Sequence, residues 1–342
     1  MKKYFIFFIL LLSMNSCTNS IRLQVLQPAQ ITMPEHIKKF VVANRSRASK
    51  NNQAMNIIEG VLTGEEPWAD REGAGDCLYG FIDMMTKTPH FTVTQAAGVD
   101  LYGTGTSIFP IPLRWDEVEK ICKDNNADAM VVLEAFDSDS RIDLSSRQVQ
   151  TKGQEGQPIT VIEHYANAKM EITTGWRVYE PKTKSIIDEY KFSDFLDFNS
   201  KGTSPEDAKA KLPSKRDCIN KTGFHVGKKY GYRIAPQWIL VIRNYYNKGN
   251  DNMKLAARKI RQVNDWKNAM ELWKKEALNN NVKIAGRASY NMAVVCEREG
   301  NLEIALEWVK KSYLSGNKNA RNYMNILNAR IQDAKRLNEQ MK

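Results

Sequence analysis

Gly223, Gly227 and Gly231 recur at every fourth position, with Val226, Tyr230 and Ile234 interleaved. Residues four apart share one face of a helix, so these glycines form a stripe without side chains, and only a closely approaching backbone fills the space above it. The segment must therefore be clamped inside a packed domain. A glycine-mediated pair in lipid is ruled out by Lys228, Lys229 and Arg233 in the same turns. The expected contact is with a sheet, and Pro236 ends the helix.

That sheet is legible upstream. Phe40 to Ala43 reads as a short buried strand, and a helix follows in which Cys77, Leu78, Phe81, Ile82 and Met85 repeat at three and four. Residues 90–94 make a second strand, Val118, Ile121 and Cys122 mark a second helix, and Ala129 to Phe136 is a strongly strand-like run. Alternation of this kind gives an α/β layer. The chain then turns antiparallel. Met170, Ile172, Thr174, Trp176 and Val178 alternate with mostly polar neighbours, which predicts one buried and one wet face. Residues 180–184 read as a turn and 186–192 as the returning hairpin partner. The stretch 138–157, rich in Ser, Gln, Gly and Asp, is expected as a mobile loop or an extended arm, and Trp238 to Tyr246 as the last strand of the domain.

Past Asn250 the period changes. Asn264-Asp265-Trp266 with Ala269 and Trp273 is matched, 36 residues on, by Gly300-Asn301-Leu302 with Ala305 and Val309, and Ala257 and Ala293 hold equivalent small positions upstream. The pattern resembles the tetratricopeptide repeat, whose period is about 34. Two repeats and a capping helix over 319–340 are indicated. A free-standing solenoid needs about three repeats, so the array is expected to lean on the α/β domain. The resemblance implies partner binding in a concave face, with Trp266, Ala269, Trp273, Ala293, Leu302 and Ala305 as repeat core and groove.

The N-terminus speaks to the compartment. Lys2 and Lys3 precede the apolar run Tyr4 to Leu12, too short to span a bilayer, and Ser16 stands directly before Cys17. This resembles a lipoprotein signal peptide covering residues 1–16, which implies acylation of Cys17, palmitate included, and a stable anchor built from several chains. The serine-cysteine ending resembles those of the Bacteroidota. In the Bacteroidota, surface-exported lipoproteins tend to carry an acidic cluster just after the cysteine; residues 18–34 hold no Asp or Glu, so this resemblance implies the periplasmic face of the outer membrane.

The net charge is +11, and residues 251–342 carry 18 Lys plus Arg against 10 Asp plus Glu. For an exported chain such basicity suits envelope protein or peptide partners of acidic character and anionic lipid, and not nucleic acid.

Four cysteines remain beside Cys17. Export permits bridges among Cys77, Cys122, Cys218 and Cys296 in three connectivities, while the helix-stripe positions of Cys77 and Cys122 favour buried thiols. His36, His90, His164 and His225 show no metal-ligand spacing, so neither a metal nor another cofactor is expected. Gly103-Thr104-Gly105-Thr106-Ser107 lacks the lysine of a phosphate-binding loop and runs into Pro110 and Pro112, which predicts a turn. One catalytic alternative stands, an envelope hydrolase or transferase with Asp137, Asp139 and His164 at a strand exit.

The run from Gly223 through Gly227, Tyr230-Gly231-Tyr232-Arg233-Ile234-Ala235-Pro236-Gln237-Trp238 to Arg243-Asn244-Tyr245-Tyr246 resembles a family of Bacteroidota lipoproteins without assigned chemistry. Ala135-Phe136-Asp137-Ser138-Asp139 and Gly175 to Thr183 fit the same resemblance. It implies an α/β domain similar to the N-terminal domain of the TolB translocation protein, followed by helical repeats. The expected chain is thus α+β, with a signal peptide (1–16), a lipidated N-terminus and linker (17–36), a two-layer mixed-sheet α/β domain (37–249) and tetratricopeptide-like helices (250–342). The expected role is a membrane-anchored interaction or scaffold module without catalysis.

Overall fold

The computed structural model describes residues 18–48, 69–153 and 156–342. The signal peptide and Cys17 lie outside these described residues. Seven strands and nine helices are described: β1 (Thr18–Gln27), β2 (Lys39–Asn44), α1 (Ala69–Met85), β3 (Thr92–Gln95), α2 (Trp115–Asp124), β4 (Ala129–Lys152), β5 (Pro158–Glu180), β6 (Ser185–Gly202), α3 (Pro205–Ala210), α4 (Lys215–Ile234), β7 (Gln237–Tyr246), α5 (Asp251–Val263), α6 (Trp266–Glu276), α7 (Val282–Arg298), α8 (Leu302–Leu314) and α9 (Asn319–Gln340). No helix among the described residues is long and apolar enough to cross a membrane. The fold is α+β, with an all-helical C-terminal segment.

The α/β unit comprises residues 28–237 with 339–342. Its sheet has the order β3-β2-β4-β5-β6, parallel where β2 meets β3 and β4 and antiparallel from β4 onward. On one face, Phe40, Val42, Val131, Leu133, Ile172 and Trp176 form the main core with α1 and α4. The opposite face is covered too. Val41, Met130, Val132 and Tyr179 pack under α2 and under Leu101 and Leu113. Gly175, Arg177 and Tyr179 are consequently buried, so the wet face expected for β5 ends at Thr173.

The glycine stripe of α4 packs on a helix, which corrects the expected contact with the sheet. A Cβ on Gly223 would lie 2.5 Å from the Gly73 carbonyl oxygen of α1, one on Gly227 would lie 2.7 Å from the Cys77 carbonyl carbon, and one on Gly80 of α1 would lie 2.8 Å from the Phe224 carbonyl carbon. Glycines on both helices thus admit the other's backbone. The residues between the glycines turn to the sheet, where Tyr230 stacks on Trp176 with ring centroids 4.6 Å apart and planes 9° apart.

One open alternative is decided and one expectation is revised. The polar stretch after Phe136 is the extended arm and not a loop: β4 and β5 pair in continuous register from Ala135↔Gly175 to Lys152↔Pro158. Trp238 to Tyr246 is a strand, but it pairs with β1 in a separate two-stranded sheet, and both strands belong to the helical unit, residues 1–27 with 238–338. Residues 18–27, expected as linker, are therefore ordered strand. The structural boundary falls at Gln237, because the buried Tyr245 and Tyr246 share a core with the repeat helices.

Cys77, Cys122, Cys218 and Cys296 are all free and buried. Burial pushes the Cys77 thiol far above its ordinary range and raises Cys122 to about 12. The Gly103–Ser107 run begins at an isolated bridge of Gly103 with Ala48 and continues as a bend, with the Gly103 amide donating to the Arg47 carbonyl at 2.7 Å.

Candidate functional site

The helical unit is built from two equivalent turns. Asn264 (φ 53°) and Gly300 (φ 83°) both adopt the left-handed conformation that ends a helix and starts the next. These are the paired positions of the 36-residue offset in the sequence. Asp265 then caps α6 by accepting from the Asn268 amide, Asn250 caps α5 by accepting from Met253, and Asn281 caps α7 through Lys283 and Ile284. Ala269 and Ala305 are fully buried, as close helix pairing requires, and Trp273 is fully buried beside them.

All six residues expected as repeat core and groove are buried. Trp266, Ala269 and Trp273 belong to one cluster, and Ala293, Leu302 and Ala305 to the next. They form part of the packed interior of the helical unit. Of the six, Trp266 lines a cavity.

That cavity measures about 760 Å³ and is lined by Thr18 to Leu23 of β1, Tyr245, Ile260, Arg261, Asn264, Trp266 and Arg298. Three arginines converge on it. Arg298 lies over the Trp266 ring at 4.9 Å, a distance at which the cation is attracted to the ring face. Arg22, Arg261 and Arg298 are exposed, and among the described residues none of them forms an ion pair. Asn264 holds the wall by accepting from the Trp266 indole at 2.7 Å, and Asn19 of β1 donates to the Tyr245 hydroxyl at 3.3 Å. The basic charge noted in residues 251–342 thus gains a partner from β1, which sequence separation hid.

Two other arginines of the unit, Arg243 and Arg330, are already engaged. Glu297 of α7 is buried and accepts from Arg243 Nε at 2.8 Å and Nη2 at 2.9 Å, from the Tyr323 hydroxyl at 2.6 Å and from Arg330 Nη1 at 2.5 Å. Burial pushes its carboxyl up, but the Arg243 and Tyr323 hydrogen bonds and the Arg243 charge outweigh this, leaving it below the usual range. This network ties β7 and α9 to α7. The three arginines of the cavity differ in having no such carboxylate.

The residues of the catalytic alternative are not brought together. Asp137 stands opposite Thr173, Asp139 opposite Glu171, and His164 opposite Ser146. At about 3.4 Å per strand residue, Asp137 and His164 lie roughly 30 Å apart. His164 instead shares a 2.7 Å hydrogen bond with Ser146, and Asp139 is exposed. Among the described residues no three His, Cys, Asp or Glu side chains cluster as a metal would require.

A buried polar cluster escaped the sequence reading. Glu134 is fully buried on β4, 3.1 Å from Arg45 and 3.5 Å from Arg177, and it accepts from the Tyr179 hydroxyl at 2.5 Å. The two guanidinium groups also grip the carbonyls of Tyr102, Pro110 and Ile111. The signal was available as a single glutamate inside the apolar run Ala129 to Phe136.

Residues 37–246 match the family described as Domain of unknown function (DUF8603), and residues 254–329 match a second, Domain of unknown function (DUF6340). These spans divide the chain near Asn250, as the sequence reading does, while the contacts assign β7 to the helical side. No curated protein matches the chain. Among solved structures, a PelC dodecamer from Paraburkholderia phytofirmans is similar at 9% identity and a TM-score of 0.23, covering 61% of this chain and 96% of that one. A putative neuraminyllactose-binding hemagglutinin homolog from Helicobacter pylori is similar at 8% identity and a TM-score of 0.20, covering 59% and 84%. The first family match spans well over half of the residues, and the chain belongs to the Domain of unknown function (DUF8603) family.

Proposed function

We propose that the chain is a lipid-anchored lipoprotein of the cell envelope, held through Cys17 at the periplasmic face of the outer membrane. Its role is that of an interaction or scaffold module that takes acidic protein or peptide partners on the helical unit. The observation that supports this is the cavity lined by Arg22, Arg261 and Arg298. A carboxylate entering it gains charge-assisted, fork-shaped hydrogen bonds without displacing an internal ion pair. Trp266 beneath Arg298 supplies a flat apolar floor.

The test is capture from envelope extracts with the natural chain and with the combined variant Arg22→Glu, Arg261→Glu and Arg298→Glu, at low and high salt. Partners held by the natural chain at low salt should be lost at high salt and lost with the variant, because exposed charges are screened over about 8 Å at physiological ionic strength. Equal recovery with both chains overturns the assignment of the surface. Truncation at Asn250 is a poor substitute, because residues 18–27 and 238–246 are part of the helical unit. The anchor is checked separately: Cys17→Ala should move the chain out of the membrane fraction, and continued partition with membranes would refute acylation there.

A further inference from the structure

Among the described residues, the outer edge of β4 carries no paired strand over most of its length. β2 pairs with β4 only from Ala129 to Leu133, and beyond Leu133 no strand among the described residues covers that edge. The β4–β5 ladder continues without a bulge from Ala135 to Lys152, so the edge is regular, and Phe136 to Gln148 contains no proline or lysine to blunt it. A long, regular edge of this kind is a template for another strand.

The backbone phase follows from the bulge. Leu133 turns its carbonyl to the open side, where the Arg45 amide donates to it at 2.8 Å. The register shift between Leu133 and Ala135 moves the phase by one residue. Phe136, Ser138, Ser140, Ile142 and Leu144 therefore present their N–H and C=O groups outward, while the residues between them bond to β5.

We infer that this edge pairs with the same edge of a second copy of the chain, antiparallel about a twofold axis at Ile142, joining two five-stranded sheets. The charge pattern carries the choice of occupant and of register. With Ile142 opposite its own counterpart, Arg141 faces Asp143 of the second copy and Asp143 faces Arg141, Arg147 faces Asp137, and Asp139 faces Ser145. Every charged pair is opposite in sign. Shifting the register one step either way sets Arg141 against Arg141 or Asp143 against Asp143, which is destabilising between directly opposed strands. The other face of the edge is uncharged from Ser138 to Ser146, and Ile142 and Leu144 are 46% and 51% exposed there.

Within one chain the pattern is only partly balanced. On β5, Arg147 stands opposite Glu163, but Arg141 stands opposite Lys169 and Asp139 opposite Glu171, like against like. The Arg141–Asp143 pair of 2.9 Å within β4 is solvent-exposed on both sides, and such pairs are worth little as they stand. A second edge would set a carboxylate directly across from Arg141. The result is an isologous contact, in which each copy offers the same patch.

Sedimentation equilibrium of the full chain in detergent tests this, with Asp143→Arg and with the swap Arg141→Asp/Asp143→Arg. The natural chain should give twice the chain mass. Asp143→Arg opposes two arginines on each side of the axis and should raise the dissociation constant by at least about tenfold. The swap restores opposite signs and should restore the dimer, which separates pairing from damage to the fold. Ile142→Pro removes an outward N–H and should leave monomer without disturbing the bonds to β5. A monomeric natural chain, or an Asp143→Arg chain as dimeric as the natural one, overturns the inference, as does a swap that fails to recover the dimer while its circular dichroism is native.

Discussion

Gly227→Ala probes the closest approach in the α/β unit. A Cβ there would lie 2.7 Å from the Cys77 carbonyl carbon and 3.0 Å from the Phe81 amide nitrogen. Both are backbone atoms of α1, so no side-chain rotation relieves the overlap. Carbon atoms pack at about 3.5–4.0 Å, and the Cys77 carbonyl oxygen lies nearer still than its carbon, so the two helices must part by at least about 1.3 Å. That would also loosen the neighbouring contacts of Gly223 with Gly73 and of Gly80 with Phe224. Overpacking costs about 1–3 kcal/mol, and a clash with backbone sits at the upper end. Alanine's better helix propensity offsets about 1 kcal/mol, which leaves a net loss of about 2 kcal/mol. For a unit of this size each kcal/mol moves Tm by about 2–4 °C, so the transition should fall by about 4–8 °C. Gly75→Ala, on α1 with nothing within 4 Å of a Cβ, isolates the propensity effect and should raise it by about 2–4 °C. Differential scanning calorimetry of the two variants should therefore give shifts of opposite sign. A Gly227→Ala chain as stable as the natural one would mean that the helices do not meet at this distance.

Trp273→Ala should destabilise the helical unit by about 3–5 kcal/mol in urea titration, since the indole is fully buried between repeats; a loss under 1 kcal/mol would place it at the periphery. Tyr179→Phe removes the hydroxyl that accepts from the buried Leu113 amide at 3.1 Å. The cost should be about 1–3 kcal/mol, with faster hydrogen exchange at Leu113; unchanged exchange would show that the loop is held elsewhere. Glu297 is held below its ordinary range in the folded chain, so its stabilising effect is present above the unfolded value of about 4.3 and is lost as pH falls through the folded value. The natural chain should accordingly be more stable than Glu297→Gln at pH 7, with the difference shrinking on acidification; a difference that grew toward pH 3 would contradict the direction of the shift.

What the sequence disclosed divides along physical lines. Period-two alternation in residues 169–179 and three-and-four spacing around Cys77 and Val118 are local, and those elements form as read. At the 36-residue offset, Asn264 and Gly300 share the left-handed conformation. A stripe of glycines says that a backbone comes near, but not which one, so the stripe alone does not tell the sheet from α1, its actual partner. The arm from Ser138 to Lys152 is polar because both of its faces are wet, and a strand buried on neither face has no alternation to display. Strand β7 alternates well enough to be recognised, yet its partner β1 lies more than two hundred residues away in the chain. For the same reason Arg22 could not be grouped with Arg261 and Arg298.

The two buried glutamates show why residue types alone do not fix chemistry. Each lies beside two arginines and accepts from a tyrosine hydroxyl, yet burial leaves the Glu134 carboxyl above its ordinary range while Glu297 lies below it. Glu297 receives a two-pronged grip from Arg243 and the undivided Nη1 of Arg330, which suffices to offset its desolvation. At Glu134 the arginines are shared. Arg45 also donates to the carbonyls of Tyr102 and Ile111, and Arg177 donates to Pro110 at 2.7 Å and Glu189 at 2.7 Å, so each has less to give. Removing one member of a buried ion pair strands the other at about 3–5 kcal/mol, whereas an apolar replacement of the whole set is often harmless. Here the whole set could not be replaced so cheaply, because the carbonyls of residues 102–111 would lose their donors. Glu134 thus keeps two cations inside the domain, and those cations let an irregular segment rich in glycine and proline cross the face of the sheet.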